Sequence, residues 1–315
     1  MLDALARSCF HGLAGSHAIR RLASRYGMRR PTSFARRFIA GESVAEAITA
    51  ARRLQSQGRL ITLDHLGESV ADADSARAAV GDYRTIIEQV EAAGIERNLS
   101  VKLTQLGLDL DRSLCLDNLR HLLDAAAAGD FFIRIDMESS AHVQPTLDVF
   151  GTVWDAGYRN VGLVLQSYLR RSMADLEALN RLGVRIRLVK GAYSEPPEVA
   201  YGDKAEVDAA FVEMTARLLR DGTRPAIATH DPAILASTRA YAHAHDISPA
   251  RFEFQMLYGV RRDLQAALIR GGCQLRVYVP FGEQWFPYFM RRLGERPANV
   301  MFVLRSLVEE RAAPL

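Results

Sequence analysis

From residue 60 onward, short β-prone apolar runs alternate with longer amphipathic segments, and they do so eight times. Runs at 60–63, 99–103, 131–135, 161–165, 184–189, 225–228, 251–254 and 275–279 predict strands. Segments at 72–93, 113–128, 144–156, 172–182, 203–219, 232–244 and 260–269 repeat apolar residues at helical spacing. Gly94, Gly129, Gly157, Gly183, Gly222 and Gly271 stand just past those helices, where C-terminal glycines belong. Eight units between 60 and 305 leave about 30 residues for each, the size of one βα repeat. A doubly wound open sheet fits less well. The count of eight argues against it, and neither G-x-G-x-x-G after the first strand nor G-x-x-x-x-G-K-[ST] anywhere is present. The expected fold is α/β: a closed (β/α)8 TIM-type barrel over 59–315, including a C-terminal helix. Residues 1–58 are expected to form a helical N-terminal arm outside the barrel, with its clearest helix at 43–57.

Composition narrows the partners. With 49% hydrophobic and 24% charged residues in 315, the chain reads as a soluble globular protein, and a net charge of +3 is too mild to imply nucleic acid. The charge is uneven, however: residues 1–40 carry Arg7, Arg20, Arg21, Arg25, Arg29, Arg30, Arg36 and Arg37 against one acid, Asp3. Three readings stand open: the solvated face of helices, a surface that meets anionic lipid, or a transit peptide. The third lacks a clear cleavage site before the patterned helix. No run of 18 apolar residues and no secretory h-region occur, so the expected location is cytoplasmic, with a peripheral contact at the inner membrane face. Cys9, Cys115 and Cys273 are few and far apart, which points to a reducing compartment without a disulfide framework or metal cluster.

In a barrel, polar residues at the carboxyl ends of strands converge on one face. Such residues follow seven consecutive strands here: Thr62-Leu63-Asp64-His65, Ser100-Val101-Lys102, Arg134-Ile135-Asp136-Met137, Leu165-Gln166, Arg187-Leu188-Val189-Lys190, Thr229-His230-Asp231 and Glu253-Phe254-Gln255. Singly, each has a structural explanation: Lys102 as a surface lysine, Asp136 as a cap or a partner of Arg134, His230 as part of a turn. Packing does not account for all of them together. Arg187 inside an apolar strand is costly unless an anionic or electron-rich group needs it. Lys190-Gly191-Ala192 offers a cation beside a small-residue bend, where backbone N–H groups approach phosphate. In the eighth unit, Tyr288, Arg291, Arg292 and Glu295 fall at i, i+3, i+4 and i+7 on one helical face. Glu295 can brace both arginines, giving a carboxylate clamp with aromatic walls from Tyr288 and Tyr278.

These strings resemble the flavin-dependent proline dehydrogenases, in particular the short monofunctional bacterial type. The resemblance rests on T-L-D-H-L-G-E at 62–68, S-V-K-L at 100–103, R-I-D-M-E at 134–138 and L-Q-S-Y at 165–168. It continues with R-L-V-K-G-A-Y at 187–193, A-T-H-D at 228–231, F-E-F-Q-M-L-Y-G at 252–259 and Y-F-M-R-R-L-G-E at 288–295. The resemblance implies non-covalent FAD across the carboxyl-end face. It also implies oxidation of L-proline to Δ1-pyrroline-5-carboxylate by hydride transfer from substrate C5 to flavin N5. By matching position, Arg187 sits against N5, Gln166 bonds the pyrimidine side and the Met137 backbone lies near the ring. Lys190, Gly191, Ala192, Thr229 and His230 line the ribityl, pyrophosphate and adenosine portion. Lys102 and Asp136 flank the substrate, Arg291 and Arg292 hold its carboxylate, and Tyr193, Leu257, Tyr278 and Tyr288 wall in its ring. Catalytic roles fall on Asp136, Arg187 and Lys102.

Ser194 stands where some relatives carry a tryptophan that stacks on adenine, which leaves the adenine contacts open. By the same resemblance, Tyr278 is expected to favour proline over hydroxyproline, whose users carry a smaller residue there. The resemblance further implies a quinone or other electron acceptor, with the basic arm as the membrane contact. It also implies a separate pyrroline-5-carboxylate dehydrogenase downstream, since the eight units consume the chain to about residue 305. Three other readings remain at this point: a dehydrogenase of hydroxyproline or another cyclic imino acid, a Schiff-base barrel aldolase using Lys102 or Lys190, and a non-enzymatic amino-acid sensor.

Overall fold

The computed structural model describes Met28 and residues 33–294. Helix α1 (Val44–Gln55) precedes the repeats. Then β1 (Leu60–His65), α2 (Ala73–Ala93), β2 (Asn98–Val101), α3 (Arg112–Ala128), β3 (Phe132–Ile135), α4 (Ser140–Asp155), β4 (Val161–Gln166) and α5 (Ser172–Arg181) follow in order. The second half runs β5 (Ile186–Val189), α6 (Lys204–Asp221), β6 (Ala226–Ala228), α7 (Pro232–Ala244), β7 (Glu253–Leu257), α8 (Arg262–Arg270), β8 (Leu275–Phe281) and α9 (Trp285–Gly294). All eight strands pair in parallel in sequence order, and β8 returns to β1, so the sheet closes as a (β/α)8 TIM-type barrel.

Boundaries move where turn chemistry overrides periodicity. The run at 251–254 becomes β7 at 253–257, because Pro249–Arg251 forms a 3-10 turn whose Ser248 hydroxyl accepts from the Ala250 amide. Helix α8 starts at Arg262, not 260, since Arg261 takes a left-handed φ of 46°. Helix α4 starts four residues before the expected 144 and carries Pro145 inside it, which adds Val143 to its buried face.

Each strand has two faces of opposite character. One face, which includes Ile61, Leu63, Leu99, Val101, Ile133, Ile135, Leu163, Leu165 and Leu188, packs with the helices into a single apolar core. Burying each such side chain contributes about 1.5–3 kcal/mol. Truncating one, as in Leu163→Ala, costs about 2–5 kcal/mol through the cavity it leaves. The other face is polar and points inward. Arg187 on β5 bonds Ser100 on β2, and Tyr278 on β8 bonds Asp136 on β3. Strands that are not neighbours meet only across the lumen. At the amino end the lumen holds Arg276, which donates to Glu253 at 2.7 Å and to Glu96 at 2.5 Å. Arg134 there donates to the carbonyls of Leu163 and Arg185 and makes no pair with Asp136.

Helix α1 is not outside the barrel. A capping box between Ser43 and Glu46 starts it, and Ala47, Ile48, Ala51 and Leu54 join the main core, where small alanines let the helix sit close to β1 and β8. It therefore covers the β8–β1 seam that the last helix of a barrel would cover. Helix α9 instead joins a second apolar cluster with Met28, Phe38, Ile39 and Leu66, adjoining Tyr278. The basic expectation for residues 1–40 falls mostly outside the described residues.

Candidate active site

A cavity of about 370 Å³ opens at the carboxyl end of the strands. It brings together Lys102, Asp136, Met137, Gln166, Arg187, Lys190, Gly191, Ala192, Tyr193, Thr229, His230, Leu257, Tyr278 and Tyr288. Arg291 and Arg292 lie in α9, but their side chains, and the whole of Glu295, are outside the described residues.

The deepest part of the site is a chain of alternating charges. Lys102 Nζ donates to Asp64 Oδ1 at 3.1 Å and to Asp136 Oδ2 at 3.5 Å. Asp136 Oδ1 accepts from Arg187 Nη1 at 2.7 Å, and its Oδ2 accepts the Tyr278 hydroxyl at 2.7 Å. Arg187 Nη2 donates to Ser100 Oγ at 3.1 Å, and its guanidinium lies 5.3 Å from the centre of the Tyr278 ring. Two anions and two cations cancel, which is the condition under which buried charges are tolerated. Burial alone would lower the Lys102 pKa, but Asp64 and Asp136 outweigh it and hold the ammonium proton well above the ordinary lysine range. Burial, followed by Asp136 and Asp64, pushes the Tyr278 phenol well up, so it stays a donor.

Asp64 and Ser100 stand in the strand-end strings but carry no assigned role in the sequence pattern. Both sit at two-residue spacing from other residues of those strings, Asp64 from Thr62 and Ser100 from Lys102, and that period marks the lumen face. Asp64 is fully buried. A carboxylate there needs a cation, and Lys102 supplies it.

The wall from β4 to β7 is built differently. Gln166 donates its amide N–H to the Met137 and Glu138 carbonyls, which turns its Oε1 away; that buried oxygen has no hydrogen-bond partner among the described residues. Gln255 Oε1 and Arg187 Nε are likewise buried without partners there. Gly191 has a φ of 123°, and a Cβ added to it would lie 2.2 Å from the Tyr168 ring, so only glycine fits this bend. His230 Nε2 accepts from the Leu257 amide at 2.9 Å, which ties the end of β6 to β7 and leaves the proton on Nδ1. Asp231 caps α7 through the Ala233 amide and pairs with Lys190 at 3.1 Å. No group of three or more metal-ligating side chains occurs among the described residues, and no described helix is long and apolar enough to cross a membrane.

Comparison with known proteins gives a consistent result. The profile of the family described as "Proline dehydrogenase" matches residues 47–305. Proline dehydrogenase 1 of Bacillus subtilis strain 168 is 38% identical over 306 residues, covering 97% of this chain and 100% of the relative. The proline dehydrogenase of Deinococcus radiodurans is 39% identical over 313 residues, covering 98% and 100%. Among solved structures, proline utilization A (PutA) from Bdellovibrio bacteriovorus inactivated by N-propargylglycine superposes with a TM-score of 0.77 at 28% identity. The match covers 82% of this chain and 32% of that one.

Proposed function

The chain belongs to the proline dehydrogenase family, and from that premise we propose that it oxidises L-proline to Δ1-pyrroline-5-carboxylate with non-covalent FAD, the first step of proline catabolism. The observation that carries this reading is the charged group Lys102, Asp136 and Arg187 on the cavity lining, with Asp64 buried behind Lys102, opposite Gln166 and Gln255, whose side-chain oxygens are buried without a partner among the described residues.

Those atoms fit the cofactor. Gln166 Oε1, an acceptor, suits the imide N–H on the pyrimidine edge of a flavin, and Arg187 offers a permanent cation with a spare donor. The tight Gly191 bend lets backbone approach a dinucleotide, with Lys190, Ala192, Thr229 and His230 beside it and the Met137 backbone nearer the ring. When bound, the flavin supplies the hydride acceptor.

The chain's own residues align and polarise. Asp136 is saturated by Arg187, Tyr278 and Lys102, so it holds these three in place and is not a free base. The fixed positive charge of Lys102 disfavours the ammonium form of a neighbouring secondary amine, the form that cannot react. Tyr193, Leu257, Tyr278 and Tyr288 wall in the pyrrolidine ring, and the carboxylate is assigned to Arg291 and Arg292 from the sequence pattern. A locked ammonium also argues against the Schiff-base reading, which needs a neutral lysine. Lys190, paired with two aspartates, is no better placed.

Electrons pass on to a quinone or another acceptor. The basic segment within residues 1–40 is the proposed contact with an anionic membrane face, and a separate pyrroline-5-carboxylate dehydrogenase consumes the product. The test is anaerobic addition of L-proline to the purified protein. Bleaching of the visible flavin absorbance, with formation of the cyclic imine, is expected. A colourless protein that neither retains FAD nor bleaches with proline would refute the reading.

A further inference from the structure

Lys190, the cation on the cofactor wall, is not free to meet a phosphate. Its ammonium stands 2.5 Å from Asp208 Oδ1 and 3.1 Å from Asp231 Oδ2. A second lysine shares both carboxylates: Lys204 pairs with Asp208 Oδ2 and lies 3.7 Å from Asp231 Oδ2. Two ammonium groups and two carboxylates therefore form one neutral cluster, with Lys190 and Asp231 on the cavity wall, Asp208 off it and Lys204 exposed at the surface.

Helix stability does not explain Lys204. Asp203 caps α6, which makes Lys204 its first residue, where a cation opposes the helix macrodipole. Its partner Asp208 lies four residues later, and acid after base is the weaker order for such a pair. The lysine is placed for the cluster, not for the helix.

The consequence follows from charge balance. If Lys190 turned to a diphosphate, Asp208 and Asp231 would keep Lys204 as their counter-ion beside an incoming dianion, and without Lys204 neither would have a lysine partner. We propose that Lys204 is the reserve counter-ion of the diphosphate site: by holding Asp208 and Asp231 itself, it releases Lys190 to the cofactor. Asp208 is the brake and Lys204 the release, so the two govern how tightly the cofactor is kept without touching it. This rests on the FAD reading above.

The experiment is titration of the apo-protein with FAD at low salt, followed by quenching of flavin fluorescence. Lys204→Met should weaken the FAD Kd roughly threefold to fivefold, the upper end of what an exposed ion pair contributes. Lys204→Arg should bind as the wild type does. Asp208→Asn should shift Kd the opposite way by a similar factor, and the double variant should return towards the wild type. Both shifts should shrink at high salt and be absent with riboflavin, which carries no phosphate. Unchanged FAD affinity in Lys204→Met, or equal weakening towards riboflavin, overturns this inference and leaves the FAD reading intact. A wild-type protein that binds no FAD overturns both.

Discussion

The Tyr278 hydroxyl donates to Asp136 Oδ2 at 2.7 Å across the lumen, from β8 to β3, while the same ring underlies the Arg187 guanidinium. One side chain thus fixes the carboxylate and the cation that it pairs with. Tyr278→Phe keeps the ring but removes a hydrogen bond to a charged acceptor, so kcat/KM for proline should fall roughly tenfold to a hundredfold. Tyr278→Ser should also open room at the substrate ring. The ratio of kcat/KM for 4-hydroxyproline to that for proline should rise, and an unchanged ratio would remove Tyr278 from specificity.

Asp64 is the buried counter-ion of Lys102. Asp64→Asn leaves the lysine with Asp136 alone and should destabilise the fold by about 3–5 kcal/mol, as expected when one member of a buried pair loses its charge. Urea melts check this directly. The double variant Asp64→Asn/Lys102→Met should recover most of the stability and none of the activity. A single variant as stable as the wild type would show that Lys102 does not need Asp64.

At the amino end, burial alone would raise the Glu253 pKa, but Arg276 outweighs it and the carboxyl ends below the ordinary glutamate value. A depressed acid stabilises the fold above its unfolded pKa, and that contribution fades as pH falls through the lower folded value. Glu253→Gln should therefore cost stability at neutral pH, by about 3–5 kcal/mol. The gap to the wild type should close as pH drops below the glutamate range. Denaturant melts over a pH series measure it; a gap that widens in acid would contradict the assignment.

The clamp assigned to α9 separates from cofactor binding. Arg291→Met and Arg292→Met should each raise KM for proline at least tenfold, the loss of about 1.5–3 kcal/mol for a hydrogen bond between charged groups. Flavin content should stay at the wild-type level. Steady-state kinetics beside the absorbance ratio of protein to flavin decide it. Unchanged KM in both would dismiss the clamp.

How much of this was legible in the sequence depends on period. Eight β-prone runs at regular spacing predict the barrel, and polar residues at their ends predict the face that carries the site, because both follow from local pattern. Partners across the lumen are a different matter. Arg134 stands two residues from Asp136, yet Asp136 pairs with Arg187, and no local rule joins β3 to β5. Asp64, Ser100 and Asp208 went unassigned for the same reason: their meaning lies in residues dozens of positions away. Helix α1 was misplaced because amphipathicity shows that a face is buried, not against which strands.

The exchange of places between α1 and α9 divides two duties that a barrel usually gives to one helix. With residues 44–55 packed against β1 and β8, α9 is left to line the cavity through Tyr288 and to share an apolar cluster with Phe38 and Leu66.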